Sequence, residues 1–550
     1  MTSRSFRALA IVLVAAFAVV WFSTLQYRKL VKPDEGRYAE IPREMVASGD
    51  WITPRLNGIK YFEKPALQYW TTAAAFEAFG LQEWTARLWA ALTGFCGVLL
   101  VFFAGRRLYG EAAGWLAATV LGSSLLYFLI GHLNTLDMGL TFFLEAAMVA
   151  FLLAQEAAPA SSAERGWMLA AWAAMALATL SKGLIGFVLP GMVLVLYSLV
   201  QRDLGPWKRM HIAWGVALFL AIAAPWFVAV SVANPEFPRF FFVHEHFERF
   251  LTKEHGRYQP AWYFAPILLL GLLPWTSVAL QALAEAWNRP ARGAIATGRF
   301  LLLWTAAIFA FFSLSDSKLP SYILPVVPAI ALLSGDTLAR MPSRTLRWHL
   351  AFAAVAGAAA LAALAWLRHS GAFADLREAD SATERYAVWL MVAAAALLLG
   401  ALLALWRNHR GQPRAALLWL AGAALVASAT ALQGHETLGR SNSAHYIAEA
   451  IRSQLKPDAP FYSVAMYDQT LPFYLRRTVT LVDYGDEFRF GLAQEPGRSI
   501  PTMEEFKKRW LEDRDAFAIM TEDTYRALRA QGLPMREVAR DPRRVVVARP

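Results

Sequence analysis

The feature that most constrains this chain is a series of apolar runs, each near 20 residues, that recurs along its first four-fifths. A bilayer core about 30 Å thick takes about 20 apolar residues to cross as a helix. About thirteen runs approach that length, at 8–27, 86–104, 112–130, 138–154, 167–181, 184–200, 211–232, 262–282, 300–315, 322–338, 349–367, 386–406 and 414–432. Arg4 and Arg7 precede the first, which continues through Val19-Val20-Trp21-Phe22 without a small-x-small cleavage site. It therefore reads as a retained helix and not a signal peptide. The chain is 57% hydrophobic and 17% charged, against roughly 45–50% and 25% in soluble proteins, which excludes a string of soluble domains. Cys96 is the one cysteine, which excludes a disulfide scaffold and a multi-cysteine metal site.

The net charge of +11 has a topological reading. With the N-terminus cytoplasmic, the cytoplasmic loops hold Arg106, Arg107, Arg202, Lys208, Arg209, Arg289, Arg292, Arg299, Arg340, Arg344, Arg347, Arg407, Arg410 and Arg414. These lie beside helix ends, as the positive-inside rule requires, so nucleic acid is not the implied partner. An odd number of spans puts the C-terminal segment on the other side. Residues 1–432 are then a membrane domain and 433–550 a soluble domain. In the tail, Phe461–Met466, Thr478–Val482, Ala516–Met520 and Val545–Ala548 read as strands. Ser443–Leu455, Met503–Leu511 and Thr521–Gln531 read as helices, the second opened by Thr502-Met503-Glu504-Glu505 as a capping box.

Polar residues concentrate in a few extracytoplasmic segments, and chemistry is expected there. The first begins Lys32-Pro33-Asp34-Glu35-Gly36-Arg37-Tyr38 and continues to Met45. It can form an amphipathic helix on the interface, with Tyr38, Ile41 and Met45 on one face. Asp34 is either the helix cap or a reacting carboxylate. The second, Tyr61-Phe62-Glu63-Lys64-Pro65, sets a lysine among aromatics. Such a lysine either binds a lipid phosphate or snorkels. In the third, His132–Met138, Asp137 starts a membrane helix, again as cap or as functional carboxylate. The fourth, Phe240–Arg257, contains His244, His246 and Arg249. Two histidines alone do not make a metal site; with Glu63 or a substrate phosphate they would suit zinc or manganese better than magnesium. A fifth, Ser315–Pro325, interrupts an apolar run with prolines, so Lys318 and Tyr322 can face an anion in a cavity.

Asp34-Glu35-Gly36-Arg37-Tyr38 after one helix, Phe62-Glu63-Lys64-Pro65, and Ser317-Lys318-Leu319-Pro320-Ser321-Tyr322-Ile323-Leu324-Pro325 together resemble a known family. They look like the lipid-linked-sugar glycosyltransferases of the GT-C superfamily, in the branch related to protein O-mannosyltransferases. The nearest resemblance is to bacterial enzymes that move 4-amino-4-deoxy-L-arabinose to lipid A. The resemblance implies an α-helical polytopic fold with a soluble α/β tail, an undecaprenyl-phosphate-linked sugar donor, and a lipid A phosphate acceptor. It also implies the periplasmic face of the bacterial inner membrane, inverting chemistry and a role in polymyxin resistance. Asp34 and Asp137 match the catalytic aspartates. Lys64 and Arg249 match the positions that hold the carrier phosphate, with Glu35, Arg37, Tyr61, Lys318 and Tyr322 expected around substrate. Glu63 and His244 are the expected metal or polar clamp, no cofactor being obligatory, and the chain is expected to act as a monomer. A GT-C enzyme for another sugar, a lipid flippase and a scaffold remain as alternatives.

Overall fold

A computed structural model describes residues 3–248, 259–290, 294–370 and 382–550, with side chains from residue 11 onward and excepting 246–248. Every expected apolar run falls on helix. In chain order the first nine helices are α1 (Ser3–Phe22), α2 (Asp34–Ser48), α3 (Leu67–Phe79), α4 (Glu83–Tyr109), α5 (Glu111–Ser123), α6 (Leu125–Gly131), α7 (Leu136–Glu156), α8 (Ser162–Lys182) and α9 (Ile185–Gln201). Among the described residues, 8 helices are long and apolar enough to cross a membrane, or 10 if two bent pairs each count once. The sequence reading of thirteen also took in α1 and α9, whose apolar parts are short, and α8, which carries Glu164, Arg165 and Lys182. Those three fall short of a full apolar span, so the number of crossings is not fixed at thirteen.

Two runs read as straight spans are broken. The α5–α6 pair bends by 65°, and Ala261–Gly271 meets Thr276–Ala286 at 116°. The breaks brace each other. Leu125 N–H donates to the Leu273 carbonyl (3.2 Å), and Trp275 Nε1 donates to Ser123 Oγ (2.9 Å). Pro274 has no N–H to continue its helix. Backbone groups freed inside an apolar layer must find such partners.

The tail forms a six-stranded sheet. A two-residue hairpin pairs β1 (Arg55–Leu56) with β2 (Ile59–Lys60) in the first loop. The sheet strands are then β3 (Phe461–Val464), β4 (Thr480–Val482), β5 (Ser499–Ile500), β6 (Phe517–Met520), β7 (Arg536–Arg540) and β8 (Val545–Ala548). Their order is β5-β4-β3-β6-β8-β7; the first four run parallel and the last two pair antiparallel. Thr502 Oγ1 accepts from Glu505 N (3.3 Å), which is half of the expected capping box; the Glu505 carboxylate turns instead to Arg509 Nη2 (2.7 Å). Alternation gives the sheet two apolar faces. One packs under Phe506, Trp510, Tyr525 and Leu528 of the tail helices. The other packs on Tyr38, Ile41, Met45, Leu56 and Ile59 of the first loop.

That packing corrects the expectation for the first loop. The helix α2 forms as read, but it does not lie on the membrane interface. Glu35 through Met45 are all buried, because membrane helices close one side and the soluble domain closes the other. Gly36 marks a close approach of α2 to the soluble domain: a Cβ there would sit 2.6 Å from the Gln469 carbonyl and the Thr470 nitrogen.

Candidate active site

The first turn of α2 separates its two carboxylates. Pro33 occupies the cap position and no side chain caps the helix, so the capping reading of Asp34 falls away. Asp34 is the more open of the pair, about one-third exposed, and accepts from Arg37 Nη1 (3.0 Å). Arg37 reaches across to the soluble domain, where its Nε donates to Glu487 Oε2 (2.7 Å). Its guanidinium also lies 5.8 Å from the ring centre of Tyr61. Gln469 Nε2 donates to the other Glu487 oxygen (2.6 Å). Burial pushes the Glu487 carboxyl up, and Arg37 only partly opposes this.

Glu35, one residue on, points inward, which corrects its expected place at the substrate. Arg87 Nε and Nη2 clamp its two oxygens (2.7 and 2.8 Å), and the Val31 and Asn134 amides donate to it (each 3.0 Å). Arg87 also donates to the carbonyls of Leu25, Arg28 and Lys29 (2.7, 2.6 and 3.0 Å). Burial alone would raise Glu35; the Arg87 charge and hydrogen bonds, helped by Arg28 and the Asn134 amide, outweigh it and hold the carboxyl at about 2. The residue fixes the start of α2 to α4 and to the turn before α7.

Asp137 is not a cap either, since Thr135 holds that position without a side-chain bond. It accepts a short hydrogen bond from Lys182 Nζ. That ammonium lies 4.3 Å from the Tyr322 ring centre and within electrostatic reach of Asp34. Asp34, Asp137, Lys182 and Tyr322 thus share one neighbourhood. Lys182 was missed as a site residue. Its signal was the Ser181-Lys182-Gly183 break between two apolar runs, which read only as a short loop.

Lys64 Nζ donates to the Glu63 carbonyl (2.8 Å) and pairs with Glu245 Oε2 (3.2 Å). This sets the Glu63-Lys64 segment beside His244, whose ring stacks on Phe240 at 5.2 Å. Tyr61 Oη and Tyr69 Oη are buried and have no hydrogen-bond partner among the described residues. Buried hydroxyls left open in this way are what a polar ligand would satisfy. No group of three or more His, Cys, Asp and Glu arranged to hold a metal occurs among the described residues. Arg249 lies outside the described residues, as does Arg292. Lys318 departs from expectation: the residue is 4% exposed, and its ammonium is taken up by the Gln259 carbonyl (2.8 Å) and the Ser315 carbonyl. It holds the broken segment together and does not present a charge to a ligand.

A polytopic helical domain with carboxylate–cation pairs at one boundary, closed by an α/β sheet, is the architecture expected of a membrane glycosyltransferase of the GT-C fold, and the comparisons with known proteins agree. Residues 7–241 match the family model for dolichyl-phosphate-mannose-protein mannosyltransferase, and residues 447–549 match the aminoarabinose transferase C-terminal domain. An undecaprenyl phosphate-alpha-4-amino-4-deoxy-L-arabinose arabinosyl transferase of Pseudomonas paraeruginosa is 32% identical over 506 residues, 89% of this chain and 88% of the relative. One from Edwardsiella ictaluri is 35% identical over 334 residues, 60% and 59% of the two chains. The crystal structure of ArnT from Cupriavidus metallidurans bound to undecaprenyl phosphate superposes with a TM-score of 0.91 at 43% identity, covering 98% of this chain and 97% of that one. The archaeal oligosaccharyltransferase AglB from Archaeoglobus fulgidus shares the fold alone, with a TM-score of 0.51 at 12% identity over 96% and 70%. The chain belongs to the family of undecaprenyl phosphate-4-amino-4-deoxy-L-arabinose arabinosyl transferases.

Proposed function

We infer that this chain transfers 4-amino-4-deoxy-L-arabinose from undecaprenyl phosphate to a lipid A phosphate, at the periplasmic face of the inner membrane. The observation that carries this reading is the match, over 98% of the chain, to a relative solved with undecaprenyl phosphate. The first-loop carboxylates and cations support it.

In the reaction an acceptor phosphate oxygen bonds to the anomeric carbon as that carbon's bond to the donor phosphate oxygen breaks. The electron pair leaves on undecaprenyl phosphate. The acceptor is an anion at neutral pH and needs no general base. Asp34 therefore serves by orienting the aminosugar and by stabilising the positive charge that develops at the anomeric carbon. Lys64 and Arg249 balance the charge of the leaving phosphate. The Asp137–Lys182 pair keeps a cation beside that centre, and Arg37 fixes the direction of Asp34. Glu63 and His244 are the residues that would hold a divalent metal, which would supply further charge at the phosphate.

The test is transfer in vesicles that contain the donor lipid and lipid A, read by the mass of lipid A. Asp34→Asn should lose transfer by at least about 100-fold, the scale of a lost electrostatic stabiliser, while inserting and folding normally. Wild-type transfer by that variant would remove Asp34 from the mechanism. Transfer to a protein or glycan, with lipid A unchanged, would overturn the acceptor.

A further inference from the structure

Two cavities lie side by side on the flank of the soluble domain. The larger, about 340 Å³, is lined by Arg452, Lys456, Arg476 and Arg477 with Tyr474. The smaller, about 260 Å³, shares Arg452, Tyr474 and Arg476 and adds Lys29, Glu83 and His445. Five cations thus border the cleft made by these two neighbouring cavities, against two lining carboxylates, Glu83 and Glu449.

Three observations make this more than a solvated face. Arg476 sits at the left-handed end of a short helix, with φ of 57°, where glycine or asparagine is usual. Its side chain makes no hydrogen bond or ion pair with another described residue, although it borders both cavities. The ion pairs nearby are exposed and easily exchanged. Arg452 faces Glu449 (2.6 Å) and Lys456 faces Asp515 (2.8 Å), with every partner more than 40% exposed. Such pairs add little stability and leave both cations open to a stronger anion, Arg452 making besides only a long contact from Nη2 to the Tyr474 carbonyl (3.4 Å). Arg477 is different, since it is spent on the Pro457 and Ala459 carbonyls (2.7 and 2.8 Å).

The cleft is also tied to the first loop. Leu30 N donates to Tyr474 Oη (2.8 Å), and Lys29 Nζ pairs with Glu83 (3.0 Å). Lys29 precedes Asp34 by five residues, so their backbones are at most about 17 Å apart. The larger cavity is built wholly from residues 452–477, beyond the membrane domain. A glycerophospholipid such as phosphatidylglycerol carries one phosphate, whereas a bisphosphorylated glycolipid fixes two on opposite ends of a rigid disaccharide.

We propose that this cleft is a second phosphate subsite for the acceptor glycolipid. Lipid A carries a phosphate at each end of a disaccharide. One would react near Asp34 while Arg452 and Arg476 hold the other. This rests on the reaction and orientation proposed above, but it is tested by binding, with no donor present. The full-length protein is reconstituted in zwitterionic nanodiscs and titrated with bisphosphorylated lipid A, with lipid A lacking one phosphate, and with phosphatidylglycerol. The wild type should prefer the bisphosphorylated form by about tenfold, and added salt should erode the preference. The double variant Arg452→Gln, Arg476→Gln should bind both lipid A forms within twofold of each other at an unchanged unfolding temperature. Lys456→Gln alone should narrow the preference by less. In turnover assays the double variant should raise the acceptor KM and spare kcat. Unchanged discrimination in the variants, equal competition by phosphatidylglycerol, or no preference in the wild type would each overturn the subsite. Failure to transfer sugar, with this binding pattern intact, would count against the reaction and not against the cleft.

Discussion

Asp34 and Glu35 are neighbours in sequence and opposites in use. On a helix, adjacent side chains point about 100° apart, so one faces the reaction neighbourhood and the other the framework. Motif spacing places a carboxylate pair here and the family resemblance singles out Asp34, but neither shows that Glu35 belongs to the framework. That assignment comes from Arg87, 52 residues away, whose guanidinium clamps Glu35 at 2.7 Å. Removing one partner of a buried pair costs about 3–5 kcal/mol. Glu35→Gln should therefore lower the unfolding temperature, whereas Asp34→Asn should not. The pH dependence has a definite sign. The Glu35 carboxyl lies at about 2 in the fold against an ordinary 4.5, so its stabilisation is present above about 4.5 and is lost as pH falls toward 2. The difference in unfolding temperature between wild type and Glu35→Gln should be constant from pH 7 to 5 and shrink below pH 4. A difference that grew on acidification would show that Glu35 is not held as an anion.

At the scale of elements, α2 was legible and its setting was not. Its apolar face, Tyr38, Ile41 and Met45, could be read from the sequence, and all three are buried. Its polar face looked fit for water. Glu40 and Arg43 on that face instead pair at 2.6 Å within the buried body of the fold, and Arg37 crosses to Glu487. A partner 450 residues distant leaves no local trace in a helical pattern. Gly36 was visible as part of a motif, and the reason for it is now physical: the soluble domain's backbone passes where a Cβ would go. Gly36→Ala should push α2 and Gln469 apart, at about 1–3 kcal/mol as for other overpacked sites. The readouts are faster proteolysis of the 435–550 region and reduced transfer. Equal protease resistance would mean that the contact opens freely. The edge strands β5 and β7 were also missed, because two residues and a largely exposed, charged strand carry no apolar alternation. Chelation tests the neighbouring segment: if Glu63 and His244 hold a metal, EDTA should reduce transfer, and zinc or manganese should restore it in wild type but not in Glu63→Gln.

For the whole molecule, charge placement makes the firmest claim. With the N-terminus placed in the cytoplasm, Arg106, Arg202, Arg340 and Arg407 beside helix ends would fall on the side opposite the first loop and the tail, as the positive-inside rule asks of a polytopic chain. The fold strengthens the inference, since α2 and the sheet share one apolar cluster and must lie on the same side. Arg410 lies in the turn after the helix Ala382–His409, and Lys507 lies on a tail helix; they should therefore face opposite compartments. Cys96 is the one native cysteine, so a Cys96→Ser background allows single-site labelling. In intact spheroplasts a membrane-impermeant maleimide should label Lys507→Cys and leave Arg410→Cys untouched. After permeabilisation both should label. The reverse pattern would turn the protein over and put Asp34 in the cytoplasm, where a periplasmic acceptor could not reach it. Labelling of both sites before permeabilisation would break the link between charge and topology. Only the expected pattern leaves the first loop, the soluble sheet and the basic cleft in the compartment that the proposed transfer requires.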